Sequence, residues 1–215
     1  MMHLTLRPRA GEALNVLCLG AHSDDIEIGC GGTVLELNER YPGATFHWVV
    51  FSATGEREAE AKRAAELFAG AGLRGPHLKD FRDGFMPYSG GEIKTVFEEL
   101  KPVNPDVIFT HRRDDAHQDH RLLSELTWNT FRDHLILEYE IPKYDGDMGQ
   151  PNMFAPLKPE TCKAKVRHII DAFPSQRGKR WFEESTFLSL MRLRGMECNS
   201  ESGYAEGFYC RKMVF

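Results

Sequence analysis

Segments with the pattern of buried strands alternate with segments of helical periodicity along most of the chain. Apolar runs predict strands at 14–20, 45–52, 106–110 and 135–139. Helical spacing of apolar residues predicts helices at 33–40, 57–71, 92–100 and 121–131. Strands and helices that alternate in this way are joined by right-handed crossovers, which build a parallel sheet covered on both faces. The sequence therefore predicts an α/β fold whose ligand site lies at the carboxyl edge of the sheet.

The C-terminal third continues without a recognisable linker. Residues 141–159 are rich in Pro, Gly, Asp and Asn and are expected to form a long ordered loop over the site. Helices are predicted at 160–172 and 181–194, and a closing strand at 208–215. Because there is no internal repeat or low-complexity segment, residues 1–215 are expected to form a single domain.

Composition limits the class of protein. A hydrophobic content of 41%, a charged content of 27% and a net charge of −5 are ordinary for a globular protein, and the mild acidity argues against a nucleic-acid partner. No run reaches the roughly 18 apolar residues of a membrane span, and the first residues lack the apolar core of a secretory signal. The five cysteines form no C-x-x-C pair, which predicts reduced thiols. We therefore expect a cytoplasmic protein.

Two clusters of histidine and aspartate follow predicted strands. His22, Asp24 and Asp25 follow the first strand, and the segment 115–120, DAHQDH, follows the strand at 106–110. If these strands are neighbours in the sheet, His22, Asp25 and His120 form a facial set of two imidazoles and one carboxylate. Such a set with an open position is typical of catalytic zinc, and it also suits ferrous iron.

The remaining residues of the clusters supply the groups that hydrolysis needs. Asp24 is predicted to act as general base toward a metal-bound water, and His117 to stabilise an oxyanion. Asp115 and Asp119 are expected to orient the imidazoles as hydrogen-bond acceptors outside the ligand set. A helix cap is the alternative for the first cluster taken alone, but the density of histidine and aspartate in the second favours a functional site.

Further motifs extend the pattern over nearly the whole chain. The clusters lie within AHSDDIEIGCGGT at 21–33, TH at 110–111 and DAHQDH at 115–120. They are joined by GER at 55–57 with Glu60 and Ala64, SQ at 175–176 and YAEGF at 204–208. Together these motifs resemble the PIG-L/LmbE family of zinc-dependent N-deacetylases.

The resemblance implies a Rossmann-like three-layer fold with a mostly parallel central sheet. It also implies zinc bound by His22, Asp25 and His120, with Asp24 as the base and His117 assisting the oxyanion. The implied reaction removes acetate from an N-acetylglucosamine-type sugar or sugar conjugate.

The chain departs from the family pattern at three positions. Ser23 and Gln118 stand where the family carries proline, which is expected to affect mainly the stiffness of these loops. Ile26 stands where the family carries glutamate, and Glu27 beside it is a candidate for taking over any supporting role of that glutamate.

Arg57 follows the second strand and is a candidate for binding a sugar hydroxyl or a phosphate. The alternative is that it is a surface residue at the start of a helix.

Two other functions share these features. One is an amidase that uses the same site on a non-sugar amide. The other is a nucleotide-binding Rossmann module built on the glycines Gly29, Gly31 and Gly32, which are expected to form the turn leading into the first helix; this segment lacks the full G-x-G-x-x-G fingerprint. The sequence leaves the sugar, its carrier, the native metal and the oligomeric state open.

Overall fold

The computed structural model describes residues 3–8 and 11–214. Strands and helices alternate along the chain as predicted. The strands are β1 (Asn15–His22), β2 (Thr45–Ser52), β3 (Leu73–Leu78), β4 (Val107–His111), β5 (Leu135–Tyr139), β6 (Met153–Pro156) and β7 (Ala205–Tyr209). The α-helices are α1 (Asp25–Arg40), α2 (Glu56–Ala69), α3 (Gly90–Leu100), α4 (Gln118–Thr130), α5 (Pro159–Ala172) and α6 (Glu184–Glu197).

The strands form one mixed sheet in the order β3-β2-β1-β4-β5-β7-β6. The first five strands are parallel, whereas β7 runs antiparallel to both β5 and β6. β1 lies between β2 and β4. The chain adds β2 and β3 on one side of β1 and then crosses to the other side to add β4 and β5. The carboxyl ends of β1 and β4 therefore form the switch point at which open α/β sheets bind ligands.

Alternate residues of β1 enter two separate cores, one on each face of the sheet. Val16 and Cys18 pack with residues of α1, α2, α5 and α6, whereas Leu17 and Leu19 pack with residues of α3 and α4. A strand buried on both faces reads as a continuous apolar run, which is why β1 could be predicted. The predicted α/β fold with a mostly parallel, helix-covered sheet is confirmed.

The expected role of the glycines at the start of α1 is wrong. The helix begins at Asp25, so Gly29 and Gly31 lie inside it rather than in a turn. A Cβ at Gly29 would collide with the ring of Tyr139, and one at Gly31 with the ring of Phe68. The glycines therefore allow α1 to approach β5 and α2 closely, and this stretch is not a phosphate-binding loop.

Four elements differ from prediction: three strands near the sheet edges and the last helix. β3 was not predicted, because its Gly75-Pro76 step and half-buried residues are typical of an edge strand rather than a central one. β6 lies inside the expected loop 141–159, and β7 ends at Tyr209, whereas Phe215 lies outside the described residues. The last helix starts at Glu184 because a turn with a bond from Phe182 N to Lys179 O precedes it.

Two expectations from composition concern the chain as a whole. All five cysteines are free thiols. Among the helices at residues 3–8 and 11–214, none combines the length and apolar character that a membrane span requires. That residues 1–215 form one domain stays a prediction.

Candidate active site

The fold brings the two predicted clusters together at the switch point. β1 ends at His22 and α1 begins at Asp25, while the neighbouring β4 ends at His111 and α4 begins at Gln118. Both clusters therefore lie between the end of a strand and the first turn of the helix that follows it. Because α4 begins three residues earlier than predicted, His120 lies in its first turn.

Three atoms of the predicted ligand set are close together. The distance from His22 Nδ1 to Asp25 Oδ2 is 3.3 Å, that from His22 Nδ1 to His120 Nε2 is 3.2 Å, and that from His120 Nε2 to Asp25 Oδ2 is 3.6 Å. A tetrahedral zinc ion with bonds of 2.0–2.1 Å separates its ligand atoms by about 3.3 Å. The donor types and their spacing therefore fit a metal ion with three protein ligands.

His111 is a fourth group at this position, and the predicted ligand set did not include it. Its Nε2 lies 3.2 Å from Asp25 Oδ2, and its ring stacks on that of His120 with centroids 3.8 Å apart. The backbone N–H of Ala21 donates to the same Nε2 at 2.9 Å. Because this bond occupies the lone pair that a metal would need, the geometry favours His22 over His111 as the second imidazole ligand.

Asp115 contacts His120 on the side away from the ligand set. Asp115 Oδ2 lies 3.1 Å from His120 Nδ1, and Asp115 Oδ1 accepts a hydrogen bond from His117 N. Burial raises the pKa of Asp115, but His120 and the ammonium group of Lys143 lower it well below its usual range. A carboxylate at Nδ1 leaves Nε2 as the atom that faces the ligand set.

The expected loop over the site is tied to the second cluster. Lys143 Nζ lies 2.9 Å from Asp115 Oδ2 and 2.8 Å from Asp147 Oδ2. Asp147 Oδ2 also accepts a hydrogen bond from Ala116 N at 2.7 Å. The start of segment 141–159 is therefore ordered by charged contacts to the residues around His120.

His22 is oriented by two carboxylates on its other nitrogen. Asp119 Oδ2 lies 3.3 Å from His22 Nε2, and Asp83 Oδ1 lies 3.1 Å from it. Asp119 also accepts hydrogen bonds from the backbone N–H groups of Gly84 and Met86, so it anchors the loop after β3. Burial lowers the pKa of His22, but the carboxylate of Asp25, helped by Asp119 and Asp83, raises it well above its ordinary value.

Asp24 is held at the site by a buried ion pair. Its Oδ1 lies 2.8 Å from Arg57 Nη2, and its side chain makes no capping bond to α1. Burial raises the pKa of Asp24, whereas Arg57 lowers it; the net shift is upward. The pair fixes one carboxylate oxygen and leaves the other for a second contact, so the helix-cap alternative does not describe Asp24.

Arg57 is itself positioned by the turn that follows α5. Its Nη1 donates to Glu60 Oε2 at 3.1 Å and to Ser175 Oγ at 3.2 Å. Glu60 in turn accepts hydrogen bonds of 2.7 Å from both the backbone N–H and the hydroxyl of Ser175. The Arg57 side chain is 23% exposed and pairs with Asp24, so it is not a surface residue of α2.

His117 occupies the start of α4 with its ring toward the ligand set. Its Nδ1 accepts a hydrogen bond from Asp119 N at 3.2 Å, and its ring centroid lies 4.8 Å from that of His22 and 4.6 Å from that of His120. Burial and the two neighbouring imidazoles lower its pKa. Because Nδ1 is an acceptor, the proton of neutral His117 is on Nε2, where it is a hydrogen-bond donor.

The residues that depart from the family pattern are accommodated without disturbing the site. Ser23 Oγ donates to Ser52 O, and Gln118 Nε2 donates to Gly84 O. Ile26 belongs to the apolar core. Glu27 is fully buried, neither of its carboxyl oxygens has a hydrogen-bond partner, and burial raises its pKa well above the ordinary value. Glu27 therefore gives the site no hydrogen-bonded support.

Comparison with known proteins identifies the family. The sequence model of the PIG-L family, described as GlcNAc-PI de-N-acetylase, matches residues 17–131, more than half of the chain. The chain belongs to the PIG-L family. The matched region contains both clusters and Arg57, and it ends before the antiparallel edge of the sheet.

Relatives of this PIG-L protein include deacetylases. Diacetylchitobiose deacetylase of Thermococcus kodakarensis is 29% identical over 125 residues, which cover 49% of this chain and 45% of that protein. The chain thus matches less than half the length of that relative. The crystal structure of N,N'-diacetylchitobiose deacetylase from Pyrococcus horikoshii has a TM-score of 0.72 at 20% identity, covering 96% of this chain and 86% of that one.

The fold also occurs with other chemistry. The 4-carboxy-2-hydroxymuconate hydratase of Pseudomonas putida KT2440 has a TM-score of 0.74 at 17% identity, covering 94% of this chain and 98% of that one. These structural similarities show the fold alone, and one fold carries both a deacetylase and a hydratase. The reaction of this PIG-L protein must therefore be argued from its site.

Proposed function

We propose that the protein is a metal-dependent hydrolase that removes the acetyl group from an N-acetylated amino sugar or its conjugate. The observation that carries this proposal is the triangle of His22 Nδ1, Asp25 Oδ2 and His120 Nε2, with the buried carboxylate of Asp24 beside it. Membership of the PIG-L family and the deacetylase activities in the names of its relatives support the choice of reaction.

We propose zinc as the metal, with ferrous iron as the alternative that the same donor set allows. His22, Asp25 and His120 would bind it, with Asp119 and Asp115 orienting the two imidazoles. When bound, such an ion polarises a carbonyl oxygen and lowers the pKa of a coordinated water to about 7.

The protein side chains divide the remaining work of amide hydrolysis. Asp24, held by Arg57, takes the proton of the attacking water and returns it to the nitrogen that leaves as the amine. His117 donates from Nε2 to the carbonyl oxygen as negative charge develops on it. The bond broken is the amide C–N bond, and the products are acetate and the free amino sugar.

The guanidinium of Arg57 contacts three acceptors, on Asp24, Glu60 and Ser175, so its role is to position Asp24. Its partly exposed side chain is also compatible with contact to a sugar hydroxyl.

A cytoplasmic location and the absence of a nucleic-acid partner stay predictions from composition.

The direct test is acetate release from a panel of N-acetyl sugars and non-sugar acetamides, combined with metal analysis. We expect Asp24→Asn to retain the metal but to lose about 10²-fold or more in kcat. Asp133→Asn is the matched control, because its side chain is 93% exposed. Wild-type turnover in Asp24→Asn would remove the proposed base, and hydrolysis of the non-sugar acetamides alone would favour the amidase.

A further inference from the structure

A lysine outside the two clusters contacts the aspartate that orients a candidate metal ligand. β4 and β5 are parallel neighbours, and their last residues, His111 and Tyr139, are register partners. Asp115 and Lys143 each lie four residues beyond this pair, so the two loops leave the sheet side by side. The strand register therefore brings Lys143 to Asp115 across 28 residues of sequence.

The buried carboxylate of Asp115 has contacts on both oxygens. Oδ2 lies 2.9 Å from Lys143 Nζ and 3.1 Å from His120 Nδ1, while Oδ1 accepts a hydrogen bond of 2.8 Å from His117 N. Among the residues that the structure describes, Lys143 is the only lysine or arginine that pairs with this carboxylate. Because the ammonium group and the imidazole share one oxygen, the position of Lys143 determines where the imidazole finds its acceptor.

Lys143 is itself fixed by the loop from which it projects. Its side chain is 14% exposed, and Nζ also lies 2.8 Å from Asp147 Oδ2 and 3.2 Å from the carbonyl oxygen of Ile141. With Asp115, these acceptors use all three donors of the ammonium group. Asp147 Oδ2 also accepts a hydrogen bond from the N–H of Ala116, the residue after Asp115. Lys143 and Asp147 together therefore hold the start of the second cluster from both its side chain and its backbone.

The charge of Lys143 and its positioning have opposite expected effects on a bound metal ion. A cation beyond His120 repels a divalent ion, so its removal alone would tighten metal binding. Loss of the contact frees Asp115 to leave His120 Nδ1, and outer partners of this kind typically contribute roughly 10- to 100-fold to metal affinity. The contact is short and buried, and two carboxylates balance the charge of Lys143, so we expect positioning to be the larger effect.

We propose that Lys143 is a positioning residue for the metal site, which acts through Asp115 to hold the imidazole of His120 in its metal-binding orientation. The inference rests on the metal binding that the proposed function includes. It gives the start of segment 141–159 a part in metal affinity.

The test is competition for zinc between the zinc-loaded protein and a chromophoric chelator, which needs no substrate. Lys143→Met is expected to raise the dissociation constant for zinc about 10-fold. Lys143→Arg keeps a cation with several donors and is expected to retain most of the affinity. Lys62→Met, which removes a 54% exposed lysine from α2, is the matched control and is expected to change nothing. Unchanged or tighter zinc binding in Lys143→Met, with circular dichroism showing that it is folded, would overturn the proposal.

A double-mutant cycle with Asp115→Asn tests the route of the effect. If Lys143 acts through Asp115, adding Lys143→Met to Asp115→Asn is expected to change zinc affinity by less than about twofold. An undiminished loss in that background would overturn the route through Asp115. Lys143→Gln, a smaller change in polarity, replaces Lys143→Met in both measurements if the methionine variant does not fold, and it is judged by the same outcomes.

Acetate release from the sugar panel is measured separately, with zinc in excess. If no sugar is deacetylated but Lys143→Met weakens zinc binding, the proposed function fails and the positioning role stands. If sugars are deacetylated and Lys143→Met binds zinc as the wild type does, the positioning role is overturned and the function stands. Absence of zinc binding in the wild type overturns both.

Discussion

Lys165→Met is expected to destabilise the fold strongly, because it leaves a buried carboxylate without its cation. Lys165 and Glu206 are each 3% exposed, and their charged atoms are 2.6 Å apart. Lys165 Nζ also donates to Ile28 O at 2.6 Å. Glu206 in addition accepts hydrogen bonds from Gly32 N and Thr33 N of α1. The pair therefore joins α5 and β7 to the helix that begins at the candidate metal ligand.

The size of the effect follows from what remains after the substitution. Removing one partner of a buried ion pair costs about 3–5 kcal/mol. Methionine preserves most of the packing of the lysine stem, and Glu206 keeps its hydrogen-bond donors on α1. The loss is therefore expected at the lower end of this range. The lost hydrogen bond to the carbonyl of Ile28 adds about 1 kcal/mol. We therefore expect a total of about 3–4 kcal/mol.

Urea unfolding at neutral pH measures this difference, with an unchanged m-value showing that the same transition is compared. Lys158→Met is the matched control, because Lys158 precedes the same helix and pairs with Glu39 at 2.6 Å while 44% exposed. We expect this control to cost less than about 1 kcal/mol. A loss below about 1 kcal/mol in Lys165→Met would refute the reasoning that the buried pair holds α1 in place.

Three further substitutions test separate contacts. Gly29→Ala would push a Cβ into the ring of Tyr139 and is expected to cost about 2 kcal/mol or more in urea unfolding; unchanged stability would contradict the close packing of α1 on β5. Burial raises the pKa of Asp24 and Arg57 lowers it, so Arg57→Met is expected to reduce kcat and to move the acid limb of the kcat/KM profile to higher pH; a shift to lower pH would contradict the pairing. Burial raises the pKa of Asp147, but its lysine partner and a backbone N–H lower it below the usual value. A depressed pKa stabilises the fold above the unfolded-state value of about 3.9 and loses this contribution as the pH falls through the folded value. Asp147→Asn is therefore expected to cost about 1 kcal/mol in unfolding curves at pH 7 and nothing at strongly acid pH, and a constant difference would count against the ion pair.

The position of the site could be predicted because it depends on sheet topology. His22 and His120 each come shortly after a strand that is buried on both faces, and such strands read clearly in the sequence as apolar runs. Parallel neighbours end at the same edge of the sheet, so the two clusters had to meet if β1 and β4 were adjacent. The pairing of Cys18 with Phe109 shows that they are.

The parts that could not be predicted depend on tertiary contacts. Asp83 reaches His22 only because β3 joins the sheet, and that edge strand is half-buried and interrupted by Gly75-Pro76. In the sequence, Asp83-Gly84 indicates a turn but not its position relative to His22. Glycine is a poor helix former, which favours a turn at Gly29. In the structure Gly29 instead lies inside α1, at a point where the ring of Tyr139 leaves no room for a Cβ.

Binding of one metal ion by His22, Asp25 and His120 is tested most directly by elemental analysis of the purified protein and of His120→Ala, with circular dichroism to establish that the variant is folded. We expect about one ion per chain in the wild type and less than about a tenth of that in His120→Ala. Full metal content in a folded His120→Ala, together with its loss in His111→Ala, would contradict the ligand set.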